Sequence, residues 1–368
     1  MNLYVYIHIP FCYKKCPYCS FISYEKSIST KHLYLKALVK EIESFFLKNN
    51  SYKIETIYFG GGTPSLLKPE ELVLILNTIK KYHISKACEI TIEVNPNNAT
   101  KNYLQKLKEI GFTRISLGIQ SFNNQKLQFL QRLHNAQESF RAIENTIELF
   151  DNVSIDLIYG FENFNILQED LNNAVLFPLK HISAYILSIE KGTLFYKQKV
   201  YLQEENVEKQ FLYLIKFLKK HNINQYEISN FAKKGFESKH NQAYWQNYDY
   251  IGFGLSASSH INSVRYKNTD NLDDYINKVL LDKSPVVYKE RLNIDKQIKE
   301  AFVIGLRTIK GININNFNQR YNCNIEEIFK KELSKHYELK TLKKVRGSIK
   351  IANPKKLLIS NYILSDFI

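Results

Sequence analysis

Three of the chain's five cysteines, Cys12, Cys16 and Cys19, fall within eight positions, in the stretch "YIHIPFCYKKCPYCSF". At this CxxxCxxC spacing one compact loop carries three thiols, so three ligands can reach one metal centre with little further ordering. Two chemistries suit them. A tetrahedral zinc site needs a fourth Cys or His, for which His8 is the candidate. A 4Fe-4S cluster is ordinarily held by four cysteines, so three leave one iron open to an external ligand. Cys88 and Cys323 lie far along the chain and read as buried or inert thiols. A glycine-rich "YFGGGTP" (58–64) could bring bare backbone close to a small ligand. Glu93, Gln120 and Asp156 are polar residues at the ends of otherwise apolar runs.

These residues need elements to hold them, and the first two thirds of the chain supply six strand–helix units. Predicted strands at 3–9, 55–59, 89–94, 114–119, 153–159 and 181–187 alternate with predicted helices near 30–47, 69–82, 100–110, 135–149, 166–176 and 204–220. Such alternation implies an α/β fold, a partial (β/α)6 TIM-like barrel with parallel strands. Right-handed crossovers then put the loop after every strand at one end, so Cys12–Cys19, Gly60–Thr63, Glu93, Gln120 and Asp156 are expected at one mouth. The alternation decays after residue 230 into an aromatic, glycine-containing segment that reads as a lid or extension. From about 290 the pattern becomes helical with one hairpin. The expected division is therefore 1–230 (barrel), 231–289 (extension) and 290–368 (a smaller, mainly helical, winged-helix-like domain).

Composition narrows the function classes. At 368 residues and 44% hydrophobic content the chain can fill a substantial core. Its net charge of +15 comes largely from scattered Lys, which reads as a solvated basic surface with no dedicated nucleic-acid site. "MNLYVYIHIP" lacks the features of a signal peptide, and no apolar run is long enough to span a membrane. The expected location is a reducing cytoplasm, where close cysteines bind metal or do redox work. A zinc-stabilised nucleic-acid binder remains the non-enzymatic alternative.

The cysteine spacing, with aromatic Tyr18 before the third Cys and a strand before the loop, resembles the signature of the radical S-adenosylmethionine (SAM) superfamily. There a SAM molecule takes the open iron of the cluster. "YIHIPFC", "FGGGTP", "EVNP", "GIQSF", "IDLIYG" and "YEISNFAKKGFESKHNQAYW" resemble, in order, the oxygen-independent coproporphyrinogen III oxidase family from residue 6 to about 260. That resemblance implies Cys12, Cys16 and Cys19 as ligands of a 4Fe-4S cluster. It places Tyr6 beside cluster and SAM, and gives SAM to Gly61, Gly62, Thr63, Glu93, Gln120, Arg132 and Asp156. A flavodoxin or ferredoxin is the implied electron donor.

Two branches share these motifs. The oxidases carry an additional Cys two places after the third ligand, and a long N-terminal extension. Here that place is Phe21 and five residues precede Tyr6, so porphyrinogen decarboxylation is the second expectation. The other branch, the HemW-type haem chaperones, binds haem and passes it to apoproteins. Its "CPYCxF" and "HNxxYW" segments match Cys16–Phe21 and His240, Asn241, Tyr244 and Trp245. Imidazole suits haem iron, flat aromatics suit a porphyrin, and Lys233, Lys234 and Lys239 could meet propionates. "FENFNIL" (161–167) departs from the family pattern after "LIYG", and "GFGLSASSH" (252–260) matches only approximately. The sequence leaves open whether SAM is cleaved, whether the chain dimerises, and whether it touches membranes peripherally.

Overall fold

A computed structural model describes residues 1–25, 28–161 and 163–368. Six strands form the parallel centre: β1 (Asn2–Ile9), β2 (Lys53–Gly61), β3 (Ile84–Val94), β4 (Arg114–Gln120), β5 (Val153–Tyr159) and β6 (His181–Ile186). They lie in sequence order, and each pair is parallel. Between them run α1 (Ile28–Lys48), α2 (Pro69–Lys80), α3 (Lys101–Ile110), α4 (Asn124–Phe129), α5 (Ala136–Ile147) and α6 (Phe164–Ala174). After β6 come α7 (Leu194–Lys197) and α8 (Glu204–Lys220).

Local signals explain the ends. Thr100 Oγ1 caps α3 by accepting from the Tyr103 N–H, and Gly111 closes it in the left-handed region at φ 105°. Asn135 and Glu138 make a reciprocal capping box at the start of α5. Strand β5 is buried on both faces except at Asp156, as a central parallel strand under helices should be. The six strand–helix units fall where the sequence places them; α4 was not anticipated, being too short to show a helical period.

The 231–289 segment does not cover the mouth of the barrel. Short strands β7 (Asn224–Gln225) and β8 (Asn230–Ala232) add antiparallel to β6 at one edge. After α9 (Lys239–Trp245), strand β9 (Tyr250–Phe253) pairs parallel with β1 at the other edge. The meander β10 (Ser258–Ile261), β11 (Val264–Asn268), α10 (Leu272–Leu280), β12 (Val286–Arg291) then widens the sheet to twelve strands. The expected boundary at 289/290 thus falls inside β12.

The remaining chain is α11 (Ile294–Gly305), β13 (Ile312–Asn313), α12 (Ile314–Tyr321), α13 (Ile325–Ile328), α14 (Lys330–Glu338), β14 (Leu342–Val345), β15 (Ser348–Ile351), α15 (Pro354–Leu358) and α16 (Ser360–Ser365). Helices with a three-stranded sheet β13-β15-β14 make the winged-helix-like unit. Phe302, Phe317, Phe329 and Phe367 pack its centre. Among the described residues no helix is long and apolar enough to cross a membrane.

Candidate cluster and cofactor site

Parallel register brings the strand ends together: Ile9 lies beside Gly61, Glu93 beside Ser116, and Asp156 beside Ser183. Around them is a cavity of about 430 Å³ lined by Cys12, Cys16, Cys19, Gly61, Gly62, Thr63, Glu93, Gln120, Arg132 and Asp156. The expected set therefore converges on one mouth, except that Gly60 and Tyr6 are not among its lining residues. Tyr6 lies on a neighbouring cavity, its hydroxyl 3.1 Å from His8 Nδ1 and its ring stacked on Tyr58.

The cysteine loop and the glycine loop are fitted to each other. Gly62 N–H donates to the Ile9 carbonyl, and a Cβ on Gly62 would sit 2.7 Å from the Phe11 carbonyl oxygen. Gly61 at φ 111° would press a Cβ to 2.6 Å from the His8 ring, so both positions require glycine. Thr63 Oγ1 lies 3.5 Å from Cys12 Sγ, and an Arg132 guanidinium nitrogen 3.5 Å from Cys16 Sγ. Arg132 also donates to Asn95 Oδ1 (2.8 Å) and the Gly118 carbonyl (2.9 Å), while its Nε is buried without a partner. Gln120 ends β4 at φ 66°, a strained conformation for a residue with a side chain.

An unpartnered guanidinium N–H, a strained Gln, a bare glycine cradle and two inward carboxyls fit a small zwitterionic ligand beside a thiolate-held metal centre. Zinc fits less well. Its fourth ligand was to be His8, whose Nε2 bonds to the Ile22 carbonyl at 3.1 Å while Nδ1 faces Tyr6. Burial pulls the His8 pKa down to about 4. Among the described residues no group of three or more His, Cys, Asp or Glu side chains is placed to hold one ion. Cys88 lies outside the cavity, its thiol pushed up to about 12 by burial, which suits the inert reading.

Inside the mouth, burial raises the Glu93 pKa to about 7, with the neighbouring Asp156 adding to the shift and the Tyr58 hydroxyl (2.8 Å) opposing it. Burial also raises Asp156. A carboxyl whose folded pKa lies above its ordinary 4.5 holds its proton in the fold. Its stabilising contribution is complete below about pH 4.5 and fades as pH rises towards 7. Glu93→Gln is therefore expected to exceed the parent in stability by about 1–2 kcal/mol above pH 7, a range discounted for the water that reaches this half-buried side chain. Urea midpoints from pH 4.5 to 8 check this: a parent slope unchanged by the substitution would contradict it.

The HNxxYW segment forms α9 and stands apart from the cysteine cavity. His240 does not present a free imidazole: Nδ1 lies 2.6 Å from Thr56 Oγ1 and Nε2 lies 2.9 Å from the Tyr244 hydroxyl. The ring is 1% exposed, and burial draws its pKa down to about 3. In this arrangement it positions Tyr244, and the expected axial contact with haem iron has no nitrogen to make it. Lys239 Nζ is committed to the Ala87 carbonyl at 2.9 Å. Tyr244, Trp245 and Asn241 instead line a second cavity of about 900 Å³ between barrel and C-terminal unit, with Tyr6, Phe21, Tyr185, Lys267 and Arg307. Lys233 and Lys234 are not among its lining residues; Lys267 and Arg307 supply its cations.

Sequence reasoning passed over Asn95 and Arg114. Asn95 was visible within "EVNP" but only its bonds to Arg132 and Thr63 mark it as part of the site. Arg114, 2% exposed inside the barrel, opposes the burial-driven rise in the pKa of both Glu93 and Asp156. In sequence it reads as an ordinary strand start. Within the divergent 161–167 stretch, Glu162 lies outside the described residues; Phe161 accepts from Asn206 at its carbonyl and α6 begins at Phe164.

Comparison with known proteins places the chain in a family. The radical SAM superfamily profile matches residues 6–174. "Heme chaperone HemW" of Bacillus subtilis (strain 168) is 32% identical, covering 99% of this chain and 98% of its own. The HemW of Lactococcus lactis subsp. lactis is 30% identical over 99% and 96%, and that of Buchnera aphidicola subsp. Schizaphis graminum 36% over 90% and 91%. Among solved structures, coproporphyrinogen III oxidase (HemN) from Escherichia coli superposes with a TM-score of 0.87 at 21% identity, covering 100% of this chain and 90% of that one. At that identity the likeness concerns the fold.

Proposed function

Because the chain belongs to the HemW haem chaperones of the radical SAM superfamily, we propose that it binds haem and a SAM-ligated 4Fe-4S cluster and delivers haem to apoproteins. Cys12, Cys16 and Cys19 hold the cluster. The Gly61–Thr63 backbone, Glu93, Gln120, Arg132 and Asp156 hold SAM, with Asn95 fixing the Arg132 fork. When bound, cluster and SAM supply one-electron chemistry at the barrel mouth, with a flavodoxin or ferredoxin as electron source. The chain's own part is to orient and to charge-balance. Arg132 offers a cation beside Cys16, and Glu93 is poised to give up its proton when a cationic group lies against it.

The observation that carries the haem reading is the second cavity: aromatic on Tyr6, Tyr185, Tyr244 and Trp245, with the cations Lys267 and Arg307 beside the carboxylates of Glu227 and Glu300. A flat macrocycle gains apolar area on the rings, and Lys267 and Arg307 are the lining groups that can meet its propionates. His240 serves this surface by holding Tyr244 through its Nε2 contact.

One anaerobic preparation tests both branches. After reconstitution with iron and sulfide, hemin is expected to give a saturable Soret shift, and coproporphyrinogen III with reductant and SAM to give no appreciable protoporphyrinogen. Trp245→Ala is expected to weaken hemin binding on the order of ten-fold. Arg307→Ala is expected to weaken it less, as a half-buried cation should. Porphyrinogen turnover, or the absence of saturable hemin binding, would reverse the assignment.

A further inference from the structure

The two cavities share a wall made of Ser20, Phe21 and Tyr185. Phe21 has a large apolar ring left 63% exposed, on the loop that carries the cysteines. Covering such a ring is worth about 1.5–3 kcal/mol at full burial, so a flat apolar occupant of the second cavity gains by closing on it. Phe21 follows Cys19 by two residues, so the ring that borders both cavities is carried on backbone tethered directly to a candidate metal ligand. Elsewhere the loop is tied by backbone bonds, Cys12 N–H to the Tyr24 carbonyl and Cys19 N–H to the Cys16 carbonyl.

We propose that Phe21 couples the two sites, so that filling the cysteine site tightens binding of a flat macrocycle in the second cavity. The proposal rests on the haem reading above. Three metal–sulfur bonds fix the backbone at residue 19, and with it the ring two residues on. A ring already held in place spares the incoming ligand part of the ordering cost. Linkage makes the effect reciprocal: hemin must favour the filled cysteine site by the same factor.

The test is a hemin titration of the full chain without cluster, with reconstituted cluster, and with cluster plus SAM. It is followed by Soret absorbance and by the emission of Trp245, the chain's single tryptophan. The dissociation constant is expected to fall about five-fold or more on reconstitution. Phe21→Ala is expected to bind hemin saturably in every state, with the ratio between states cut below about two-fold. Should that variant fail to retain iron and sulfide, Phe21→Leu keeps a larger apolar side chain without the flat ring, and must also reduce the ratio. Equal hemin affinity in all states of the parent overturns the coupling and leaves the haem reading intact. An undiminished ratio in the variants overturns the role of Phe21. No saturable hemin binding in any state removes the haem reading and the coupling together.

Discussion

Cys16→Ala is expected to leave the anaerobically reconstituted chain with well under one iron, against about four in the parent. A site-differentiated cluster has three protein bonds and no spare, because the fourth iron is the one kept open. Losing one thiolate leaves two anchors on a loop otherwise held by a few backbone bonds. The substitution also removes the partner of an Arg132 N–H in a guanidinium whose Nε is already unpaired. Arg132 then keeps only its Asn95 and Gly118 acceptors, and a buried cation with one acceptor fewer disfavours the closed mouth. Iron and sulfide analysis with the charge-transfer absorbance of the cluster measures the effect, and Cys88→Ala is the control, expected at parental content. Near-stoichiometric iron in the Cys16 variant would assign the metal elsewhere.

The second large effect is on stability. Asp170→Ala is expected to cost about 3–5 kcal/mol, read as a fall in the urea midpoint. Asp170 is 0% exposed and accepts from Lys126 Nζ (2.7 Å), Ser121 Oγ (2.7 Å) and the Phe122 N–H (2.6 Å). Lys126 also donates to the Ile158 carbonyl and lies over the Phe161 ring. This one ion pair ties α4, the end of β5 and α6 together at the side of the mouth. Removing the carboxylate strands an ammonium whose pKa burial already pulls down. Replacing both partners with apolar residues of similar volume, as in Lys126→Met with Asp170→Leu, should recover most of the loss. If the single variant cost under about 1 kcal/mol, the pair would be no more than a surface-like contact.

Both effects arise from contacts that the sequence discloses to very different degrees. The cysteine triplet, the glycine loop and the six-fold strand–helix alternation are local, and local spacing fixes their geometry. A parallel sheet with right-handed crossovers then leaves one end for every following loop, so convergence at the mouth is a topological consequence. That is why the convergence of Cys12 through Asp156 is legible in the sequence. The Asp170–Lys126 pair is not: its residues are 44 positions apart, and Lys126 sits on a helix too short to show a period.

The HNxxYW segment marks the same limit from the other side. The motif names its residues, but a histidine's function depends on which nitrogens remain free. Thr56, far earlier in the chain, takes one of them. Likewise the aromatic stretch after residue 230 reads as either a lid or an extension, because its sequence does not say which sheet edge its strands will join. Hydrogen-bonding groups left open at β1 and β6 decide that, and they draw the segment to the two sides of the barrel. The sequence by itself determined the cysteine set, the barrel and the shared end of its strands, because these follow from short-range pattern and chain handedness. Only the tertiary structure decided which polar atoms stay unpaired, where the second cavity opens, and that Phe21 borders both sites. Those depend on contacts between residues that the chain brings together only by folding.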